Sequence, residues 1–207
     1  MNNEMMQVVA LLETSISSAV ILLWMGQKLF GAQGPFAIRI LLLLALVNLL
    51  FWPLGMGMEL PLSAYVRGVT GDLSIVTMLL LWASILPNAK RVPLPFMVAL
   101  ILLAIPFYPM ALGLGMIDPY AWGYGSILLV GAVIAAAFIC GLVNWIKGVW
   151  ILSFALVAWS MHWHESSNLW DYVLDPFLIL WAVCAIVYRS QQKRRQKQQS
   201  GYLFRAG

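Results

Sequence analysis

The sequence predicts an all-α integral membrane protein, a compact polytopic bundle of about seven transmembrane helices with its N-terminus outside and its C-terminus inside. Three observations carry this expectation. The chain has 207 residues, of which 62% are hydrophobic and only 10% charged, whereas a soluble domain carries about 25% charged residues. Its mean hydropathy is +0.88, so a water-soluble core of this size could not hide its side chains. Its apolar residues also come in long runs parted by brief polar connections.

A helix needs roughly 20 apolar residues to cross a hydrocarbon core about 30 Å thick. Seven runs are candidates: 8–27, 36–57, 73–87, 94–116, 127–146, 149–163 and 172–188. The third, sixth and seventh are short, and cross fully only where the bilayer thins or their polar ends count. The first run stays as a membrane segment, because its leader lacks a basic stretch and carries Glu4 and Glu13, unlike a secretory signal peptide. Pro53, Pro106 and Pro109 are expected to kink their spans. The connections GAQGP (31–35), PNAKRVP (87–93) and IKG (146–148) are too brief for a soluble domain, so 1–188 reads as a transmembrane helical bundle. Residues 189–207, opening with RSQQKRRQKQQ, read as a basic, flexible cytoplasmic tail. Cys140 and Cys184 fall inside apolar runs and read as small buried side chains.

Lys and Arg near span ends set orientation. With the tail inside, Lys28, Arg39, Lys90, Arg91, Lys147 and the basic run all land inside, and only Arg67 of the 12 cations lies outside. The acids sort the other way: Glu4, Glu59, Asp72, Asp118, Glu165, Asp171 and Asp175 fall at the outer face, and Glu13 in the outer half of the first span.

The outer segments 58–74, 116–126 and 162–176 should therefore share one surface. The candidate binding residues there are Arg67, Asp72, Asp118, Tyr120, Tyr124, His164, Glu165, Asp171 and Asp175. Each also has a structural reading. Asp72 and Asp175 stand at the starts of spans, where a carboxylate caps free N–H groups. Asp118 and Asp175 both precede proline, which favours the first helical position. Trp122, Tyr124, Trp163 and Trp170 suit an interfacial aromatic belt. Arg67 either pairs with Asp72 or Glu59, or grips a lipid phosphate in two-point fashion.

HWHESSNLWDYVLDP (162–176) suggests a metal site at first glance. On a helix, however, residues i and i+2 point to different sides, and familiar zinc patterns use i, i+4 histidines or cysteine pairs. No metal and no cofactor are expected. The serine-nucleophile, P-loop and dinucleotide fingerprints are absent from the sequence. Two other readings stay open: a stand-alone enzyme on a lipid-linked substrate with Asp118, His164 or Asp175 as acid/base groups, and a small transporter or channel with a polar path past Glu13, Asn48 or Asn144.

Three phrases, VRGVTGDLSIVT (66–77), GLGMIDPYAWGYGS (113–126) and NLWDYVLDPFLILWA (168–182), are together similar to the membrane-embedded portion of the lipoteichoic acid synthase and phosphoethanolamine transferase superfamily. The resemblance implies a multi-pass protein of the bacterial inner (cytoplasmic) membrane. Those enzymes carry their catalytic residues in a large extracytoplasmic domain, whereas this chain runs only 19 residues beyond the last expected span, from 189 to 207. No catalytic residue carries over. The resemblance implies a membrane platform, an accessory subunit acting with a partner in envelope lipid or glycopolymer modification or export. Its expected partners are membrane lipids and another membrane or extracytoplasmic protein, with no nucleic acid.

Overall fold

A computed structural model describes residues 3–31, 34–55, 59–86 and 91–203. Lys90, residues 56–58, residue 87 at the end of the expected third span, and tail residues 204–207 lie outside the described residues. Among the described residues the chain is all helical. The α-helices are α1 (Asn3–Phe30), α2 (Phe36–Phe51), α3 (Leu62–Thr70), α4 (Ile75–Ala83), α5 (Leu94–Pro109), α6 (Ile127–Leu142), α7 (Ile146–Ser160), α8 (Trp170–Val173) and α9 (Pro176–Leu203). A π-helical turn at Met110–Leu114 extends α5, and a 3-10 turn spans Tyr120–Gly123.

Among the described residues, three stretches are long and apolar enough to cross a membrane: Glu4–Phe30, Leu94–Leu114 and Trp170–Lys197. Phe36–Phe51, Ile127–Leu142 and Ile146–Ser160 are shorter apolar helices.

Local chemistry sets the helix ends. Beyond α2, Trp52 is extended, as suits a residue before proline. The segment 58–74, expected as a connection, contains α3. Pro61 stands at its N-cap, and Gly71, at φ 70°, ends it with its N–H on the Arg67 carbonyl at 2.8 Å. Beyond α6, Asn144 takes a left-handed φ of 56°, and Trp145 N–H reaches back to the Cys140 carbonyl at 2.8 Å. That 6→1 bond closes the helix and begins the turn into α7. α9 continues through Leu203, so the basic segment from 189 to 203 is helical. Gln, Lys and Arg are good helix formers, and one another's neighbours there.

The chain divides into two compact units. The first comprises Met1–Lys90 and Ala121–Asp175, the second Arg91–Tyr120 and Pro176–Gly207. In the first, α1 packs on α2, α3 and α4, α4 packs on α7 and α8, and α6 packs on α7. Ser15, Ala19, Val20, Val76, Met78, Leu152, Ala155 and Tyr172 are buried at its centre. The small side chains among them let backbones approach, the usual way that helices associate within a membrane. A Cβ at Gly148 would land on the Trp145 ring, so the first turn of α7 has room only for glycine at this position.

In the second unit α5 packs on α9. Met97, Leu100, Ala104 and Phe107 are buried on α5, and Leu178 and Ala182 on α9. Arg189 Nη1 donates to the Val92 carbonyl at 2.8 Å. Pro106 and Pro109 sit inside α5 without ending it. Cys140 is buried as expected, but Cys184 is exposed on the outer side of α9. An apolar run that spans a membrane shows one side to lipid, so membership of the run does not imply burial.

Candidate functional site

The site is built where α7 ends. Met161 is its C-cap, and His162 takes a left-handed φ of 51°. The His162 N–H meets the Trp159 carbonyl and the Trp163 N–H the Ala158 carbonyl, each at 3.0 Å. This pair of bonds is a Schellman closure, and it turns the chain into the polar segment 162–175.

That segment is held by its own side chains. The Tyr172 hydroxyl accepts from His164 N–H at 3.0 Å and donates to the Ser166 carbonyl at 2.9 Å. Ser166 Oγ donates to Asp171 Oδ2 at 2.5 Å and accepts from Asn168 N–H at 3.0 Å. Asn168, fully buried, accepts the Trp170 N–H on Oδ1 at 2.9 Å. Leu169 N–H then reaches the Gly123 carbonyl at 2.9 Å. A Cβ at Gly123 would collide with the Asn168 amide, so only glycine fits beneath it.

Three long-range contacts tie the segment to earlier helices. First, Glu13 on α1 accepts the Trp163 indole N–H on Oε1 at 2.6 Å, and its Oε2 lies 3.2 Å from His164 Nε2. His164 is only 6% exposed and stacks on Tyr172, with ring centroids 4.9 Å apart. Second, Arg67 on α3 donates from Nε to Asp72 Oδ1 at 2.5 Å and from Nη2 to Oδ2 at 2.9 Å; Nη2 also donates to Glu165 Oε1 at 3.0 Å. Third, Asp175, 7% exposed, accepts the Ser74 N–H on Oδ2 at 2.8 Å.

The electrostatics follow from this pairing. Partial burial pushes the Asp72 carboxyl up, but the hydrogen bonds and charge of Arg67, aided by nearby His164, outweigh it and hold the group below the usual aspartate value. The hydrogen bond to Asp72, with the one to Glu165, moves Arg67 further above the normal arginine range. Its charge is fixed at every accessible pH.

The structure thus gathers Arg67, Asp72, His164, Glu165, Asp171 and Asp175 at one end of the first unit. Tyr124 belongs to the same unit and is exposed, as is Trp122. Asp118 and Tyr120 belong to the second unit, where Asp118 Oδ1 accepts the Tyr120 N–H at 2.9 Å. That contact is the expected cap, at the head of the 3-10 turn.

Several expectations need correction. Asp72 does not serve as the N-cap of α4: Ser74 does, its Oγ accepting the Thr77 N–H at 3.2 Å. The Asp72 carboxylate is drawn instead to the guanidinium five residues earlier. Asp175 gives an oxygen to the head of α4, 101 residues away in sequence. Trp170 is 7% exposed and belongs to the core rather than to an interfacial belt. Trp163 is half-buried, its indole committed to Glu13. Asn144 lies in the α6–α7 turn and Asn48 is exposed on α2. Among the described residues no three His, Cys, Asp or Glu side chains are placed to hold a metal ion.

Participants absent from the predicted set include Glu13, Ser74, Gly123, Trp163, Ser166, Asn168 and Tyr172. Glu13 carried a signal, since a carboxylate within an apolar helix requires a partner. Nothing in the sequence named Trp163 and His164 as that partner.

No protein-family model, curated protein or solved structure matches this chain. Its class therefore rests on its own chemistry: an all-helical protein, among the described residues, with three helices long and apolar enough to cross a membrane.

Proposed function

We propose that the chain is a multi-pass subunit of the bacterial cytoplasmic membrane, a non-catalytic accessory that acts with a partner protein in envelope lipid or glycopolymer modification or export. In this reading the long and the shorter apolar helices together make about seven passes, N-out and C-in, as the sorting of cations and acids favours. α2, α6 and α7 have 16, 16 and 15 residues, about 23–24 Å at 1.5 Å per residue, and cross with local bilayer thinning. α4, at nine residues, crosses only with the segments flanking it.

The observation that carries this reading is the commitment of Arg67 to Asp72 and Glu165. The one cation that charge sorting leaves outside is engaged within the protein, which favours an ion-paired, structured platform over a phosphate grip. The exposed Glu165, Trp122 and Tyr124 offer a partner an acidic and aromatic rim. The likeness of 66–77, 113–126 and 168–182 to the membrane portion of the lipoteichoic acid synthase and phosphoethanolamine transferase superfamily supports the envelope assignment.

Native copurification after in-cell cross-linking tests it. The expected result is a retained envelope enzyme or exporter, released by the pair Trp122→Ala and Tyr124→Ala. No retained protein, together with unchanged envelope composition on deletion, overturns the proposal.

A second reading, an enzyme acting on a lipid-linked substrate, is favoured by the hydrogen-bonded Glu13–His164 pair, a carboxylate and imidazole in mutual reach. Turnover by the purified protein alone, lost in His164→Gln, would establish it.

A further inference from the structure

The polarity of α3 is inverted for a helix that faces water. Its single charged side chain, Arg67, turns to Asp72 and Glu165. Its aliphatic hydroxyls are withdrawn as well: Thr70 Oγ1 donates to the Val66 carbonyl at 3.0 Å, and Ser63 is fully buried. What remains outward is Tyr65, 48% exposed, and Val69, 88% exposed, one helical turn apart on the same face.

The chain leading into α3 exposes apolar side chains together with one acid, Glu59. Trp52 and Leu60, on the connection from α2 to α3, are exposed. α3 packs on α1 and α2, whose outward residues include Val8, Leu12, Leu44 and Leu49. α3 thus lies against two helices that expose apolar residues of their own, residues that face hydrocarbon if those helices span the bilayer. A tyrosine ring with an apolar body and a polar tip is suited to the headgroup level, and helices with one apolar face lie in that plane.

We propose that α3 is an interfacial helix lying in the boundary between headgroups and acyl chains, with Tyr65 and Val69 inserted and Arg67 held away from lipid phosphates by its two carboxylates. The proposal rests on the reading of α1 and α2 as membrane-embedded. It goes further in giving α3 a lipid partner recognised through apolar contact and not through charge.

The test uses the full chain carrying Cys140→Ala and Cys184→Ala, with a nitroxide at Val69→Cys. Labels at Ile134→Cys, outward near the middle of α6, and at Ser167→Cys, exposed on the polar segment, serve as references. In phosphatidylcholine vesicles, collision with lipid-soluble oxygen is compared with collision with a water-soluble nickel chelate. The expected oxygen-to-nickel ratio at position 69 is several-fold above that at 167, and unchanged when phosphatidylglycerol is added. In Asp72→Asn with Glu165→Gln, Arg67 is released and the ratio becomes dependent on phosphatidylglycerol.

A label at 69 as nickel-accessible as that at 167 overturns the proposal. If that label is then shielded only in native membranes, a protein covers α3, and the membrane-subunit reading stands without the interfacial helix. Nickel access at Ile134 as well would overturn the membrane reading itself.

Discussion

Asp175 accepts a hydrogen bond from the backbone N–H of Ser74 across 101 residues of sequence, at 2.8 Å and almost out of reach of solvent. Ser74 is itself the N-cap of α4, its hydroxyl turned to the Thr77 N–H. One helix start is thus served twice, by its own serine and by a carboxylate delivered from the far end of the unit. The carboxylate also meets the positive end of the α4 dipole.

Replacing Asp175 with alanine strands the Ser74 N–H. Leaving a buried donor unsatisfied costs about 1–3 kcal/mol, and the expected outcome is a lowered thermal midpoint in detergent. Asp175→Asn, which keeps an acceptor oxygen, should lose less. Equal losses for the two variants would mean that the hydrogen bond is not what Asp175 contributes.

The Glu13 contacts make a parallel case. Glu13→Gln retains an oxygen for the Trp163 indole, whereas Glu13→Leu leaves both that N–H and His164 without their partner. The leucine variant should be the less stable, by about 1–3 kcal/mol, despite being more apolar within an apolar helix. If Glu13→Leu proves more stable than the parent, the network is not holding α1 to the 162–175 segment.

The Arg67–Asp72 pair carries a pH signature. The folded-state value of Asp72 is lowered, so its contribution is fully present above the unfolded aspartate pKa of about 3.9 and fades as pH falls through the lower folded value. The stability difference between parent and Asp72→Asn should be constant from neutral pH down to about pH 5 and shrink only in stronger acid. Both side chains are partly exposed, so solvent screening keeps the contribution to roughly 1 kcal/mol or less, and salt should reduce it. Denaturation of both proteins across pH and salt measures this directly.

Two glycines separate packing from backbone effects. Gly123→Ala drives a methyl group into the Asn168 amide, which holds the Trp170 N–H; overpacking of this kind costs about 1–3 kcal/mol. Gly131, within α6, has open space where its Cβ would stand. Gly131→Ala should therefore be neutral or stabilising, by up to about 1 kcal/mol from helix propensity. A loss at 131 as large as that at 123 would place a partner against the outer face of α6.

Much of the fold was legible in the sequence because apolar run length and helix punctuation are local. The runs 8–27, 94–116 and 172–188 correspond to the three helices long enough to cross a membrane, and Asp118 caps its turn as its proline suggested. α3 escaped notice because its nine residues are neither long nor uniformly apolar; only the turning of Arg67 inward makes its polarity intelligible. The aspartates at 72 and 175 were legible as helix-start residues but not by partner. A capping signature gives the chemistry of a carboxylate, and several N–H groups and a guanidinium compete for it once the chain is folded.

Composition and pattern along the chain suffice to make it helical and apolar and to collect its acids in a few segments. Those properties are additive along the chain and need no knowledge of neighbours. Folding in three dimensions sets the rest: Glu13 meets Trp163 and His164, Arg67 is shared by Asp72 and Glu165, and Asp175 serves α4. Such pairings depend on where loops bring residues about 100 or 150 positions apart, and a buried polar group takes whichever partner geometry delivers, because leaving it unpaired costs more than any preference written locally.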